Sequence, residues 1–243
     1  MVQKLKQKVM DGKEITKEEA MTLAEADLDE LCQAADEIRK HFCGNVFDIC
    51  SCINVKGGKC SEDCKFCPQS CFNDKVEVKP HTLIGSDQML EEAAYMAQKG
   101  VVRCDLVSSG RRLPKDDVRK IVQDIERIRK ETGIAVCCSF GLLDQEDCEM
   151  LRKAGITRLH NNLESSRTFF TGVCSSHSTD DKMATLRAAR AAGLTLCSGC
   201  LINLGESMED RIELALMERE LGVKSIPVNV LNPIKDSPFE DRK

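Results

Sequence analysis

Five times in this chain a helix-like segment ends on a glycine and an apolar run begins within a few residues: "AQKGVVRCDLV", "KETGIAVCCSF", "RKAGITRLHNNL", "RAAGLTLCSGCLI" and "RELGVKSIPVNVL". Gly100, Gly133, Gly155, Gly193 and Gly222 stand where a helix closes on a left-handed residue, which glycine adopts without strain. Helix starts are legible as well, at Ser86, Asp144, Thr179 and Ser207 and at Pro114, whose fixed φ suits a first helical position. The glycines are unequally spaced, which argues against a solenoid and for βα units joined by loops of different length. Together with the earlier run "VFDICSCINV", the pattern predicts six strands and five crossover helices. Strands that alternate with helices and carry near-continuous apolar runs form a parallel sheet. The expected fold is therefore α/β, a TIM-type (β/α) barrel, partial, with about six parallel strands.

Ahead of these units, Thr16 followed by Glu19 makes a capping box, and Leu23, Leu28, Leu31 and Ile38 follow at helical spacing. This predicts one leading helix, so residues 1–44 are read as an N-terminal helical extension and 45–243 as the core domain. With 42% hydrophobic residues over 243 positions, the core domain can bury one substantial interior. The 35 basic and 40 acidic residues are spread along the chain, which leaves no basic footprint for nucleic acid. The charged start lacks the apolar run of a signal peptide, and no stretch approaches the roughly 18 apolar residues of a membrane span. A cytoplasmic protein with no membrane partner is expected. Its fifteen cysteines then read as metal ligands, catalytic groups or small buried residues, because disulfides do not persist in a reducing compartment.

In a barrel of this kind chemistry gathers at the C-terminal ends of the strands. "CSEDCKFCPQS" follows the first strand, "SSGR" the second, "HNNLESS" ends the fourth, "CSGC" lies on the fifth and "NVLNP" ends the sixth. Cys60, Cys64 and Cys67 fall within eight residues, and Pro68 stops the winding. Zinc sites usually pair C-x2-C ligands and take four donors; Cys71 can serve as a fourth, so zinc stays open on spacing alone. Three thiolates on a tight loop can also hold three irons of a cubane cluster and leave the fourth iron free for chemistry.

The C-x3-C-x2-C loop resembles that of the radical SAM enzymes, and "GGKCSEDCKFCPQS" is similar to the biotin synthase family within them. From about residue 40 onward, "HNNLESS", "TLRAARAAGLTLCSG", "NLGES" and "IPVNVL" resemble segments of that family in the same order. The resemblance implies a 4Fe-4S cluster on Cys60, Cys64 and Cys67, with S-adenosyl-L-methionine chelating the open iron and yielding a 5'-deoxyadenosyl radical on reduction. It implies removal of hydrogen from two carbons of dethiobiotin and insertion of sulfur from an auxiliary iron-sulfur cluster, of 2Fe-2S or variant type. Asn162 and Glu164 would then meet the ribose of S-adenosyl-L-methionine and Lys182 its carboxylate, where the family often has arginine. Asn162 and Asn229 would hold the ureido ring of the substrate. A flavodoxin or ferredoxin would donate electrons, and a homodimer is expected.

By the same resemblance Cys104, Cys137 and Cys197 would bind the auxiliary cluster, with Cys104 either at the ligand position or displaced from it by Asp105. Displacement would turn its thiol to the other side of the sheet. Cys200 is a further candidate ligand, provided that Ser198-Gly199 bulges. Cys32, Cys43, Cys148 and Cys174 are expected to be buried small residues, as free cysteines often are. Asn203 stands where the family commonly has glycine. Family members also continue through two more strands, so a fragment or a shortened relative is expected. The rival readings are another radical SAM enzyme, of the hydrogenase-cofactor or pyrrolysine type, and a non-catalytic metal-binding chain.

Overall fold

The computed structural model describes residues 1–73 and 75–242. Three helices lead, α1 (Val2–Met10), α2 (Lys17–Leu23) and α3 (Leu28–Cys43), where the sequence suggested one. The breaks have local causes. Gly12 takes φ 75° and turns the chain out of α1. Thr16 opens α2 with the expected capping box, accepting from Glu19 N while the Glu19 carboxylate accepts from Thr16 N. Asp27 then starts α3 by accepting from Glu30 N. Val2 and Leu5 of α1 are buried, as is Ala34 of α3, on which α1 packs.

From β1 (Cys50–Lys56) the chain alternates through α4 (Ser86–Gln98), β2 (Arg103–Ser108), α5 (Lys115–Thr132), β3 (Ala135–Ser139), α6 (Gln145–Ala154) and β4 (Arg158–His160). It continues with the short α7 (Arg167–Phe170), α8 (Thr179–Ala191), β5 (Thr195–Cys197), β6 (Cys200–Ile202), α9 (Met208–Leu221) and β7 (Val228–Val230). The five junction glycines all take φ between 70° and 101°. β1 to β5 form one parallel sheet in chain order, and β6 pairs with β7 in a second ladder.

The expected fifth strand thus changes partner midway, and it does so without bulging. Ser198 N donates to Ser225 O and Cys200 N to Pro227 O on one side, while Asn161 N donates to Cys197 O and Glu164 N to Gly199 O on the other. Three steps of the β4 segment therefore match two of the β5 segment. The irregularity lies at 161–164, where Glu164 takes φ 72°. All six expected strand passages are present, with helices on one face, as in a partial barrel.

Period-two alternation sorts the strand residues between two environments. Ile53, Val55, Leu106, Val136, Cys138, Leu159 and Leu196 are 2% exposed or less and meet Met89, Ile121, Ile125, Leu151, Leu186 and Leu214 from the helices. Each such side chain contributes about 1.5–3 kcal/mol on burial. Cys104 belongs to this layer, wholly buried with Leu106 on the helix side of β2. That corrects its reading as an auxiliary-cluster ligand. Cys200 is corrected likewise: Ser198 reaches Glu218 of α9 at 2.8 Å, and Cys200, two residues on, shares the helix-side core. Cys148 is buried as expected, whereas Cys32 and Cys43 lie exposed on α3, which presents only a narrow stripe to its neighbours. The alternate strand residues, Cys50, Cys52, Asp105, Cys137, Arg158, His160 and Cys197, face the concave side.

Candidate functional site

The loop after β1 folds back on itself. Cys71 N donates to Cys60 O at 2.8 Å, Cys67 N to Cys64 O at 3.1 Å, and the Asn73 amide to Cys67 O at 2.7 Å. Cys60, Cys64 and Cys67 are half-buried, while Cys71 is exposed. The three thiols line one cavity of about 200 Å³ with Arg111, Glu164 and Lys182, and Cys71 is not among its lining residues. A four-thiol zinc site is therefore not what the loop builds. Its donor set fits a three-thiolate iron-sulfur cluster with one open position.

Two acidic residues inside the cysteine spacing tie the loop to residues 174–177. The Asp63 carboxylate accepts from Ser175 N at 2.9 Å, Ser176 N at 3.0 Å and the Cys174 thiol at 3.1 Å. Burial pushes its pKa up, but hydrogen bonds from Ser175, Cys174 and the backbone outweigh burial and hold it well below the carboxylate range. Glu62 accepts from His177 at 2.7 Å and from Arg111 at 3.2 Å.

Cys174, read from sequence as a small buried residue, is buried against Cys64 at 3.6 Å between the sulfurs and lies 3.2 Å from His177 Nδ1. The hydrogen bond from Cys64, then that from His177, lowers the Cys174 pKa, and the same contact raises that of Cys64. Among the described residues, Cys64, Cys174 and His177 are the group close enough to grip a single ion, all within 4.8 Å. The Cys-x2-His spacing in "VCSSH" was the available signal.

Glu164 and Lys182 face the cysteines across the cavity. Lys182, 8% exposed, donates to Asn162 O at 2.9 Å, and Asn162 Oδ1 is buried without a partner. Burial raises the pKa of Glu164 against the opposing influence of Lys182. An ammonium and a carboxylate beside three thiols suit a zwitterionic ligand with hydroxyl groups. Of the three side chains to which the resemblance points, Glu164 and Lys182 line this cavity and Asn162 does not; the asparagine among the lining residues is Asn161, whose amide donates to Gly141 O at 3.1 Å. Asn229 stands apart, exposed on β7 opposite Leu201.

Elsewhere on the concave face, exposed Cys52 and buried Asp105 and Cys137 are register neighbours across β1, β2 and β3. Asp105 is 6% exposed; Ser139 donates to one oxygen at 2.6 Å and the other oxygen has no partner. Burial raises its pKa to about 6. His160 Nδ1 lies 3.3 Å from Cys197 Sγ, and burial, with Lys182 nearby, lowers the imidazole to about 4, so the ring is neutral near pH 7. Cys50, Cys52 and His160 were not singled out from sequence. The alternation of "CSCIN" carried the signal for the two thiols.

The radical SAM superfamily model matches residues 54–217. Biotin synthase 2 of Corynebacterium diphtheriae is 51% identical over 238 residues, 98% of this chain and 72% of that protein. The biotin synthase of Brachyspira hyodysenteriae is 48% identical over 237 residues, 98% of this chain and 71% of that protein. Among solved structures, methylornithine synthase superposes with a TM-score of 0.84 at 23% identity, covering 97% of this chain and 70% of that one. At that identity the likeness shows the fold alone.

Proposed function

The chain belongs to the biotin synthase family of the radical SAM superfamily, and from that premise we propose that Cys60, Cys64 and Cys67 hold its 4Fe-4S cluster and that Asn162, Glu164 and Lys182 hold S-adenosyl-L-methionine. The protein is a radical SAM sulfurtransferase that makes biotin, working with a 4Fe-4S cluster, S-adenosyl-L-methionine and an auxiliary iron-sulfur cluster. One observation carries the residue assignment: the three loop thiols, Glu164 and Lys182 line a single cavity.

When bound, the cluster and S-adenosyl-L-methionine supply a radical that removes hydrogen from unactivated carbon. The chain's own side chains bind and orient. Cys60, Cys64 and Cys67 give up protons on ligating iron, so cluster binding strengthens with rising pH. The Lys182 ammonium pairs with the carboxylate of S-adenosyl-L-methionine as a point charge rather than a bidentate fork. Glu164 accepts from the ribose hydroxyls and Asn162 Oδ1 from a hydroxyl or ureido N–H. The Lys182 ammonium also lies 5.1 Å from the centre of the Phe170 ring, a cation–π contact that helps to hold it in place. Asn229 holds the ureido ring of dethiobiotin from the neighbouring ladder.

A small acidic redox carrier, of flavodoxin or ferredoxin type, is the proposed electron donor. Support comes from Lys59 and Lys65, both exposed beside the cysteine loop. A homodimer in the cytoplasm completes the reading; no helix among the described residues is long and apolar enough to cross a membrane. The test is anaerobic incubation of reduced protein with dethiobiotin and S-adenosyl-L-methionine. Biotin and 5'-deoxyadenosine are expected together. Release of 5'-deoxyadenosine without biotin would overturn the substrate, and absence of both would overturn the reading of the cavity.

A further inference from the structure

The auxiliary cluster needs a ligand set, and the position expected to supply its β2 thiolate does not. Cys104 is wholly buried among apolar side chains behind the sheet. The residue that faces the concave side in its place is Asp105, a carboxylate with one oxygen unpartnered. Next to it, in register on β1, is Cys52, and on β3 is Cys137. Adjacent strands lie about 4.8 Å apart, so these three side chains emerge as a row from neighbouring strands. Cys197 lies on the same concave face from β5, in register with His160 of β4 and 3.3 Å from its Nδ1.

We propose that in this chain the auxiliary iron-sulfur cluster is held by Cys52, Asp105, Cys137 and Cys197, with the Asp105 carboxylate in place of a thiolate and Cys52 as a ligand from β1. The inference rests on the presence of an auxiliary cluster in this family and goes beyond it in naming the ligands. Three observations carry it. The four donors come from four strands of one sheet and share its concave face. The free oxygen of Asp105 is buried, and a buried acceptor left without a partner is costly unless something is bound there. The four are also more widely spaced than the trio Cys64, Cys174 and His177, which alone among the described residues is tight enough for one ion. A donor spacing wider than a single ion's shell suits a core of several irons bridged by sulfide. Ser139 donates to the second Asp105 oxygen at 2.6 Å and so fixes the carboxylate on its strand.

The test uses full-length protein in which C60A, C64A and C67A remove the radical-site cluster, so that remaining iron reports the chamber. The protein is reconstituted anaerobically and read by iron, acid-labile sulfide and visible absorbance. Iron and sulfide are expected to persist in this background and on adding C104S. Adding C52S or D105N, both close in volume to the native residue, should lower bound iron more than fivefold with the circular dichroism unchanged. D105C should restore the iron and strengthen the thiolate-to-iron absorbance. Loss of iron with C104S, or retention with an unchanged spectrum in both C52S and D105N, would overturn the ligand set. A background with no iron at all would overturn the inference too. The radical-site assignment would still stand if wild-type protein bound iron that C60A, C64A and C67A remove.

Discussion

Asp63 sits inside the C-x3-C spacing yet points away from the thiols, and four hydrogen bonds from residues 174–176 converge on its carboxylate, one of them from Ser175 Oγ. Bonds to a charged acceptor are worth roughly 1.5–3 kcal/mol, so this side chain fixes the height of Cys64 over the cavity. Asp63→Ala should leave the three ligands in place but loosen the loop. The expected outcome is iron loss to a chelator several-fold faster than in wild type, with Asp63→Asn intermediate; equal rates would show that the loop holds its shape without this anchor. Two other residues show why a sequence reveals such roles only in part. Asn203 stands where glycine is common, and its φ of 72° explains the family's preference, since asparagine is among the few other residues that adopt it readily. Glu164 has the same φ, imposed by the bulge at 161–164, and a glutamate in sequence announces no such strain.

At the scale of elements, helix ends and strand alternation were legible because each depends on chemistry within a few residues. Ser207 caps α9 by accepting from Asp210 N, and Asp210 returns the bond to Ser207 N. Ser207→Ala should cost about 1 kcal/mol of stability, read as a lower urea midpoint, while Ser207→Asp should stay near wild type. What the sequence hid depends on partners far along the chain. Whether Cys197 and Cys200 face one way or opposite ways turned on where the bulge fell, and the ladder shows it in the β4 segment rather than at Ser198-Gly199. Cys52 passed unnoticed because only the register gives it Asp105 and Cys137 as neighbours, and Cys50 because only the register sets it opposite Arg103. Gly199 is the glycine with the closest backbone approach: a Cβ there would run into the Pro227 carbonyl of the neighbouring strand passage. Gly199→Ala should therefore cost about 1–3 kcal/mol by overpacking, and an unchanged urea midpoint would mean that the β6–β7 ladder yields freely.

The main sheet has an apolar layer under the helices on one face and a polar concave face on the other, and Glu218 is an acidic side chain set on the apolar side of that division. It projects from α9 into the helix-side layer, wholly buried, with one oxygen on Ser198 and the other unpartnered. Burial raises its pKa to about 7, only partly offset by the Ser198 hydrogen bond. The folded protein therefore binds a proton more tightly here than the unfolded chain, whose glutamate titrates near 4.3. Between those two values the native state holds more protons, so stability falls as pH rises through the window and levels off above about 7. Each pKa unit is about 1.4 kcal/mol, which makes the full cost on the order of 3 kcal/mol at pH 8 and close to nothing at pH 4. Asp105, raised to about 6, slopes the same way at lower pH, so wild type alone cannot separate the two. Glu218→Gln does, because it keeps the shape and the Ser198 contact while removing the titration. Urea midpoints of the two proteins should nearly coincide near pH 4 and diverge in the variant's favour by pH 8. A constant offset across that range would mean that Glu218 stays ionised in the fold, with a partner that the Ser198 contact alone does not account for.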